Sequence, residues 1–305
     1  MQFHKAGRAS VLTASRRGGK LMADLNAHRQ VSPMDPHYPD ENAIQRKERL
    51  LAEARKFNLL SNVFMAVALN DRLACQHVLR ILTGIPDLTV KEVRSQHRVS
   101  KITSHDAVLD IFAEDGERKL YNLEIQRSDT VDHARRSRFY SSMIDSEYLA
   151  KGSSYAELPD TYIIYISETD LWAAGRTVYT VRKRFEETGL PYEDGQHILY
   201  VNAAVDDGSE TAALMRYFKT ADPQDMSQGD LSKRVRFLKC DERSDSVMCE
   251  VSSLIFMEGK AEGEHRKACE TALAMLEDDL PHGTIARYTG LTVEEVNQLA
   301  QKQPA

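Results

Sequence analysis

The sequence predicts a mixed α/β fold. An amphipathic helical stretch comes first, short segments of β character follow it, and helical periodicity resumes near residue 210 and runs to the end. A chain of 305 residues has room for one medium domain and an appendage. The expected organisation is a tail over residues 1–44, a core over 45–208 and a helical region over 209–305 that ends in a short helical hairpin.

The first 20 residues carry Lys5, Arg8, Arg16, Arg17 and Lys20 without an acid, and Pro33, Pro36 and Pro39 follow in a polar stretch without periodicity. This reads as a disordered tail rather than a basic nucleic-acid-contacting arm or a targeting segment, with Met22 or Met34 as alternative starts. QRKERLLAEARKF is charged and amphipathic, and DRLACQHVLRIL sets Leu73, Val78, Leu79 and Leu82 on a helical stripe that Gly84 and Pro86 close. TVKEVRSQ, HDAVLDIFA and LYNLEIQ read as strands, the last two joined as a hairpin by the turn-rich EDGERK. Residues 130–150 are helical by pattern, and the continuous apolar run of TYIIYIS predicts a strand buried on both faces. HILYVNAAV is a further strand. Helices then continue to the end, interrupted near Ala221 to Gly229.

Composition narrows the function classes. No stretch reaches the roughly 18 to 20 apolar residues that span a bilayer, and no secretory leader is evident, so a cytoplasmic protein without membrane contact is expected. Cys75, Cys240, Cys249 and Cys269 lie far apart, as reduced thiols rather than a zinc site. A net charge of -6 argues against holding nucleic acid by bulk electrostatics and leaves room for a local basic patch. No phosphate-binding loop, dinucleotide fingerprint or nucleophile elbow is present.

The hairpin concentrates the chemistry. Strand alternation groups Asp106, Val108 and Asp110 on one face with Leu109 and Ile111 on the other, and likewise groups Glu124 with Gln126. Pairing through EDGERK then brings Asp110 and Glu124 together against an apolar layer. Like charges gathered in this way need compensation, and a hard divalent cation with oxygen ligands supplies it. Such an ion polarises a phosphate oxygen and activates water, which suits phosphodiester hydrolysis, and the Gln126 amide can orient that water.

The order D-x13-E-x-Q across a hairpin, then a basic helix and an apolar strand, resembles the PD-(D/E)XK nuclease superfamily, a restriction-endonuclease-like core of mixed sheet flanked by helices. SHDAVLDIFAEDGERKLYNLEIQRSD resembles the transposase branch related to the Rpn recombination-promoting nucleases. Agreement continues through ARRSRFYSSMIDSEYLAKGSSYAELPDTYIIYISETD, YFKTADPQD, EGKAEGE and IARYTGLTVEEVNQL, over roughly residues 55 to 300. The resemblance implies a Mg2+- or Mn2+-dependent DNA endonuclease associated with mobile elements or recombination. Asp110 and Glu124 would be metal ligands, the backbone carbonyl of Ile125 a third, and Gln126 would stand where relatives carry the catalytic lysine. Asn62 stands where an acidic residue is expected on the first core helix. The rival reading is a catalytically degenerate nuclease fold that binds DNA or protein.

Arg135, Arg136 and Arg138, with Tyr140 further along the helix after the hairpin, are the candidate DNA contacts. His105 and His133 read as surface or packing residues, since Mg2+ prefers oxygen. The C-terminal helices around TGLT suit packing or self-association better than major-groove binding, because VEEVNQLA carries two glutamates and no base. Thr292 and Glu295 form a capping box.

Overall fold

A computed structural model of the chain describes residues 42–99, 107–126 and 133–302. The expected tail lies, up to residue 41, outside the described residues, as do His105 and Asp106. The expected first helical stretch is divided into α1 (Ala43–Ala54), α2 (Asn62–Leu69) and α3 (Arg72–Thr83). Asp71 caps α3 by accepting from the N–H groups of Leu73 and Ala74, and Gly84 ends it with a φ of 70° that suits a residue without Cβ. Its buried face runs Cys75, Val78, Leu79 and Leu82, whereas Leu73 is exposed. Leu73 is one position out of step with the i, i+3, i+4, i+7 spacing that begins at Cys75.

β1 (Val90–Val99), β2 (Ala107–Asp115), β3 (Leu120–Gln126), α4 (His133–Tyr148), β4 (Thr161–Ser167), β5 (Val178–Val181) and β6 (Gln196–Asn202) follow. The strands form one mixed sheet in the order β1-β2-β3-β4-β6-β5. β1, β2 and β3 are antiparallel neighbours, β3, β4 and β6 run parallel, and β5 closes the edge antiparallel to β6. β5 is a four-residue strand that the sequence pattern did not single out. TYIIYIS is β4, central and buried on both faces as its continuous apolar run implies.

Helices cover both faces of the sheet. On one face Ile111, Leu123, Ile125, Ile164, Ile166 and Val201 join α2, α3, α5 (Glu210–Thr220), α6 (Gly229–Cys240) and the start of α7 (Asp245–Glu277) in the largest apolar cluster. On the other, Leu109, Phe112, Leu120 and Ile163 meet Tyr140, Met143 and Ile144 of α4. A third cluster packs α8 (His282–Thr289) and α9 (Val293–Lys302) on the end of α7 through Ala272, Ile285, Leu291 and Val296. The Thr292 and Glu295 box is present: each accepts a hydrogen bond from the other's backbone N–H. Among the described residues no helix is long and apolar enough to cross a membrane.

One turn sets the geometry that matters later. Asp115, almost fully buried, accepts from the N–H groups of Glu117 and Lys119 through Oδ1 and from the Tyr121 hydroxyl through Oδ2 at 2.7 Å. Arg118 takes a left-handed φ of 66° within that turn. The turn holds the hairpin in the register Glu114↔Leu120 through Ile111↔Leu123, so the next positions along the two strands are Asp110 and Glu124. Replacing Asp115 with Ala removes three hydrogen bonds from a buried acceptor. Urea unfolding should show a loss of about 2–3 kcal/mol, against about 1 kcal/mol for Tyr121→Phe. Equal losses for the two variants would mean that the turn does not depend on Asp115.

Candidate active site

Beyond the Ile111↔Leu123 pair the backbone ladder between β2 and β3 stops, and side chains take over. Glu124 Oε1 accepts from the backbone N–H of Asp110 at 3.2 Å, and Asp110 Oδ2 accepts from the N–H of Ile125 at 3.3 Å. Each carboxylate is thus held by the opposite strand. On the other side of β2, Gln96 Nε2 donates to Asp110 Oδ1 at 3.3 Å from a backbone with a left-handed φ of 52°. Uniform alternation had placed Leu109 and Ile111 on one face. Instead they belong to apolar clusters on opposite faces, because the pairing of β1 with β2 skips Gln96 and Asp110 and the alternation breaks there.

Glu124 is almost fully buried and Asp110 largely so. Burial raises the pKa of both carboxyls. For Glu124 the charge of Asp110 adds to burial, and the pair pushes it up to about 8 against the opposing pull of the Asp110 N–H and of Arg136. The two protons belong to the pair. Gln126 faces α4, where its Oε1 accepts from Arg136 Nη1 at 2.8 Å. Arg136 Nε in turn donates to the Tyr140 hydroxyl at 2.9 Å, and the guanidinium lies over that ring. A buried acidic pair, a neighbouring amide and a guanidinium therefore meet where β3 ends beside α4.

A family model described as the PD-(D/E)XK nuclease family transposase matches residues 77–277, more than half of the chain. This protein belongs to that family. Comparison with curated proteins and with solved structures gave no match.

The matched segment of this family member contains the hairpin, α4 and the sheet, so the acidic pair lies within the nuclease-type core. Among the described residues no group of three His, Cys, Asp or Glu could hold a metal. The two carboxylates nevertheless fit a hard cation, since Mg2+ commonly takes only one or two carboxylates and fills its remaining positions with water and substrate oxygens. Burial, and for Glu124 the charge of Asp110 as well, disfavours the ionised forms, and a cation between the two carboxylates would offset that cost. The N–H of Ile125 points to Asp110, and a strand residue directs its N–H and C=O to the same edge, so the Ile125 carbonyl faces the same strand.

The remaining candidates divide. Arg136 and Tyr140 join the acidic pair, while Arg135 and Arg138 lie exposed on α4. His133 packs edge-on against Tyr165, with its Nδ1 3.1 Å from the hydroxyl, as a packing residue would. Asn62 is the exposed first residue of α2.

Two residues at the site were not singled out from the sequence. Gln96 carried no signal, because its role depends on an unusual backbone angle. Asn122 did carry one: it stands two residues before Glu124, and the period of two assigns it to the same face. It is fully buried and neither polar atom makes a hydrogen bond of good geometry, though its amide lies near enough to help hold the charge of Glu124.

Metal-free protein should respond to pH in a definite direction. A carboxyl whose pKa is higher folded than unfolded supports the fold fully below the ordinary carboxylate range, and that support is lost as pH rises through the folded value, here about 8. Thermal unfolding in chelator should therefore show a falling midpoint between about pH 5 and 8, flattened by Glu124→Gln. A wild-type curve that rises, or that Glu124→Gln leaves unchanged, contradicts the assignment.

Proposed function

We propose that this chain is a divalent-metal-dependent DNA endonuclease of the transposase, recombination-promoting type, acting in the cytoplasm. The observation that carries the reading is the reciprocal clasp of Asp110 and Glu124: a partly buried carboxylate and a buried one, with their strands opened around them, inside a nuclease-family segment. Asp110 and Glu124 hold the ion, Mg2+ or Mn2+, and the Ile125 carbonyl completes the protein's share. The bound ion supplies Lewis acidity toward a phosphate oxygen and eases deprotonation of the attacking water.

Gln126 orients that water through its side-chain amide. It has no positive charge to offer the transition state, and Arg136 provides one from α4 while hydrogen-bonded to Gln126 itself. Tyr140 keeps the guanidinium aimed. Arg135 and Arg138, exposed on the same helix, contact the flanking phosphates. The nuclease core, expected over residues 45–208, extends into the helical region, because α5, α6 and the start of α7 pack with the sheet, and the helices that follow toward the C-terminal end are the place for self-association.

A second reading, a catalytically degenerate nuclease fold that binds DNA or protein, is favoured by Gln126, which occupies the position where family resemblance leads one to expect lysine, and by Asn62, which stands where an acidic residue is expected. Nicking of supercoiled plasmid decides between them. Wild-type protein should nick with Mg2+ or Mn2+ and not in chelator, and Asp110→Ala and Glu124→Ala should each lower the rate about 100-fold or more. Arg136→Ala should cost about 100-fold in turnover, partly restored by Arg136→Lys. Wild-type protein that binds DNA but never nicks it supports the binding module, and cleavage that survives both carboxylate substitutions removes the site from the reaction.

Arg135→Ala and Arg138→Ala should act differently. Each should weaken DNA binding and lower the slope of log affinity against log salt by about one, with turnover at saturation little changed. A salt slope unaffected by both places the phosphate contacts elsewhere.

A further inference from the structure

The register of the sheet continues the acidic pair into a row of aromatic side chains. Glu124 is directly opposite Tyr165 on β4, Tyr165 opposite Tyr200 on β6, and Tyr200 opposite Tyr179 on β5. Residues directly opposite share a face, and this is the face that α4 covers, since Ser137 of that helix lies 3.1 Å from the Tyr200 hydroxyl. Tyr165 and Tyr200 are buried. At the outer end of the row stands Trp172, in the loop between β4 and β5, with its ring 4.6 Å from that of Tyr200 and 5.3 Å from that of Tyr179. It remains 46 % exposed.

The loop holds this indole in a set position. Asp170 accepts from the Tyr179 hydroxyl at 2.6 Å, from the Gly175 N–H at 2.8 Å and from the Trp172 N–H at 3.4 Å. The Tyr179 hydroxyl accepts in turn from the Ala174 N–H. An indole supported on tyrosine rings and presented to solvent exposes a wide apolar surface at low entropic cost. Strands spaced by about 4.8 Å put the outer end of the row about 14 Å from Glu124, a few nucleotides along a bound strand.

We propose that Trp172 is a stacking platform for an unpaired nucleobase on the strand whose phosphate sits at Asp110 and Glu124, which directs the enzyme to single-stranded or locally opened DNA. The proposal rests on the nuclease reading above. Away from the ends of an intact duplex each base face is already stacked on its neighbours, so there an open indole gains a partner only from an unpaired base. Arg176, exposed in the same loop, is placed to meet the accompanying phosphate.

Trp172 is the single tryptophan of the chain, so its fluorescence reports on this position alone. Full-length protein in chelator is titrated with a single-stranded oligonucleotide, the same sequence as a blunt duplex, and an abasic strand of equal length. The single strand should quench the emission saturably, and the duplex and abasic strands should do so weakly. In parallel, anisotropy of the labelled single strand should show affinity lowered about ten-fold by Trp172→Ala and largely retained by Trp172→Phe.

Equal quenching by the abasic strand, or unchanged affinity in Trp172→Ala, overturns the platform. Plasmid nicking by the same wild-type preparation keeps the two ideas separate. Cleavage without base-dependent quenching sinks the platform alone, whereas base-dependent quenching without metal-dependent cleavage removes the nuclease reading and leaves Trp172 as a base contact of a protein that binds DNA without cutting it.

Discussion

The architecture of the site depends on the hairpin turn that Asp115 organises. Its buried carboxylate ties two backbone amides and a tyrosine hydroxyl together, and this fixes which residue of β2 faces which residue of β3. Register in a hairpin is a discrete choice, because a slip of one residue would send every side chain of a strand to the opposite face. With the turn closed as it is, Asp110 and Glu124 follow the last backbone pair and meet. The acidic pair is therefore placed by a polar network at the far end of the hairpin.

Meeting there is costly to the fold. Burial raises the pKa of both carboxyls, the charge of Asp110 raises that of Glu124 further, and the opposing hydrogen bonds from Asp110 N–H, Ile125 N–H and Gln96 offset only part of the penalty. The strands themselves contribute to the arrangement: β1 leaves regular geometry at Gln96, and β2 breaks its alternation beside Asp110. Departures of this kind concentrate where a structure holds groups for chemistry rather than for packing. The unsatisfied amide of Asn122 next to Glu124 belongs to the same pattern.

α4 joins the two halves of the site. Through Tyr140, Met143 and Ile144 it packs on the sheet, and through Arg136 it reaches Gln126 at the end of β3. One helix thus supplies both the apolar contact that sets its position and the cation that β3 lacks. Its N-terminal part also touches the tyrosines of β4 and β6 through His133 and Ser137, which links the acidic pair to the aromatic row leading to Trp172.

Much of this was legible from the residues alone. Apolar periodicity located the helices and β4, the turn composition of EDGERK located the hairpin, and period-two alternation put Glu124 and Gln126 on one face, because each of these signals is written in neighbours along the chain. The same local rule failed at Leu109 and Ile111, where a left-handed residue on the neighbouring strand overrides it. Tertiary structure alone decided that Arg136 answers Gln126, that Gln96 supports Asp110, and that Tyr165, Tyr200 and Tyr179 continue the row begun by Glu124. Those relations depend on strand order and on how a crossover helix settles on the sheet, and contacts between residues distant in sequence leave no period in it to read.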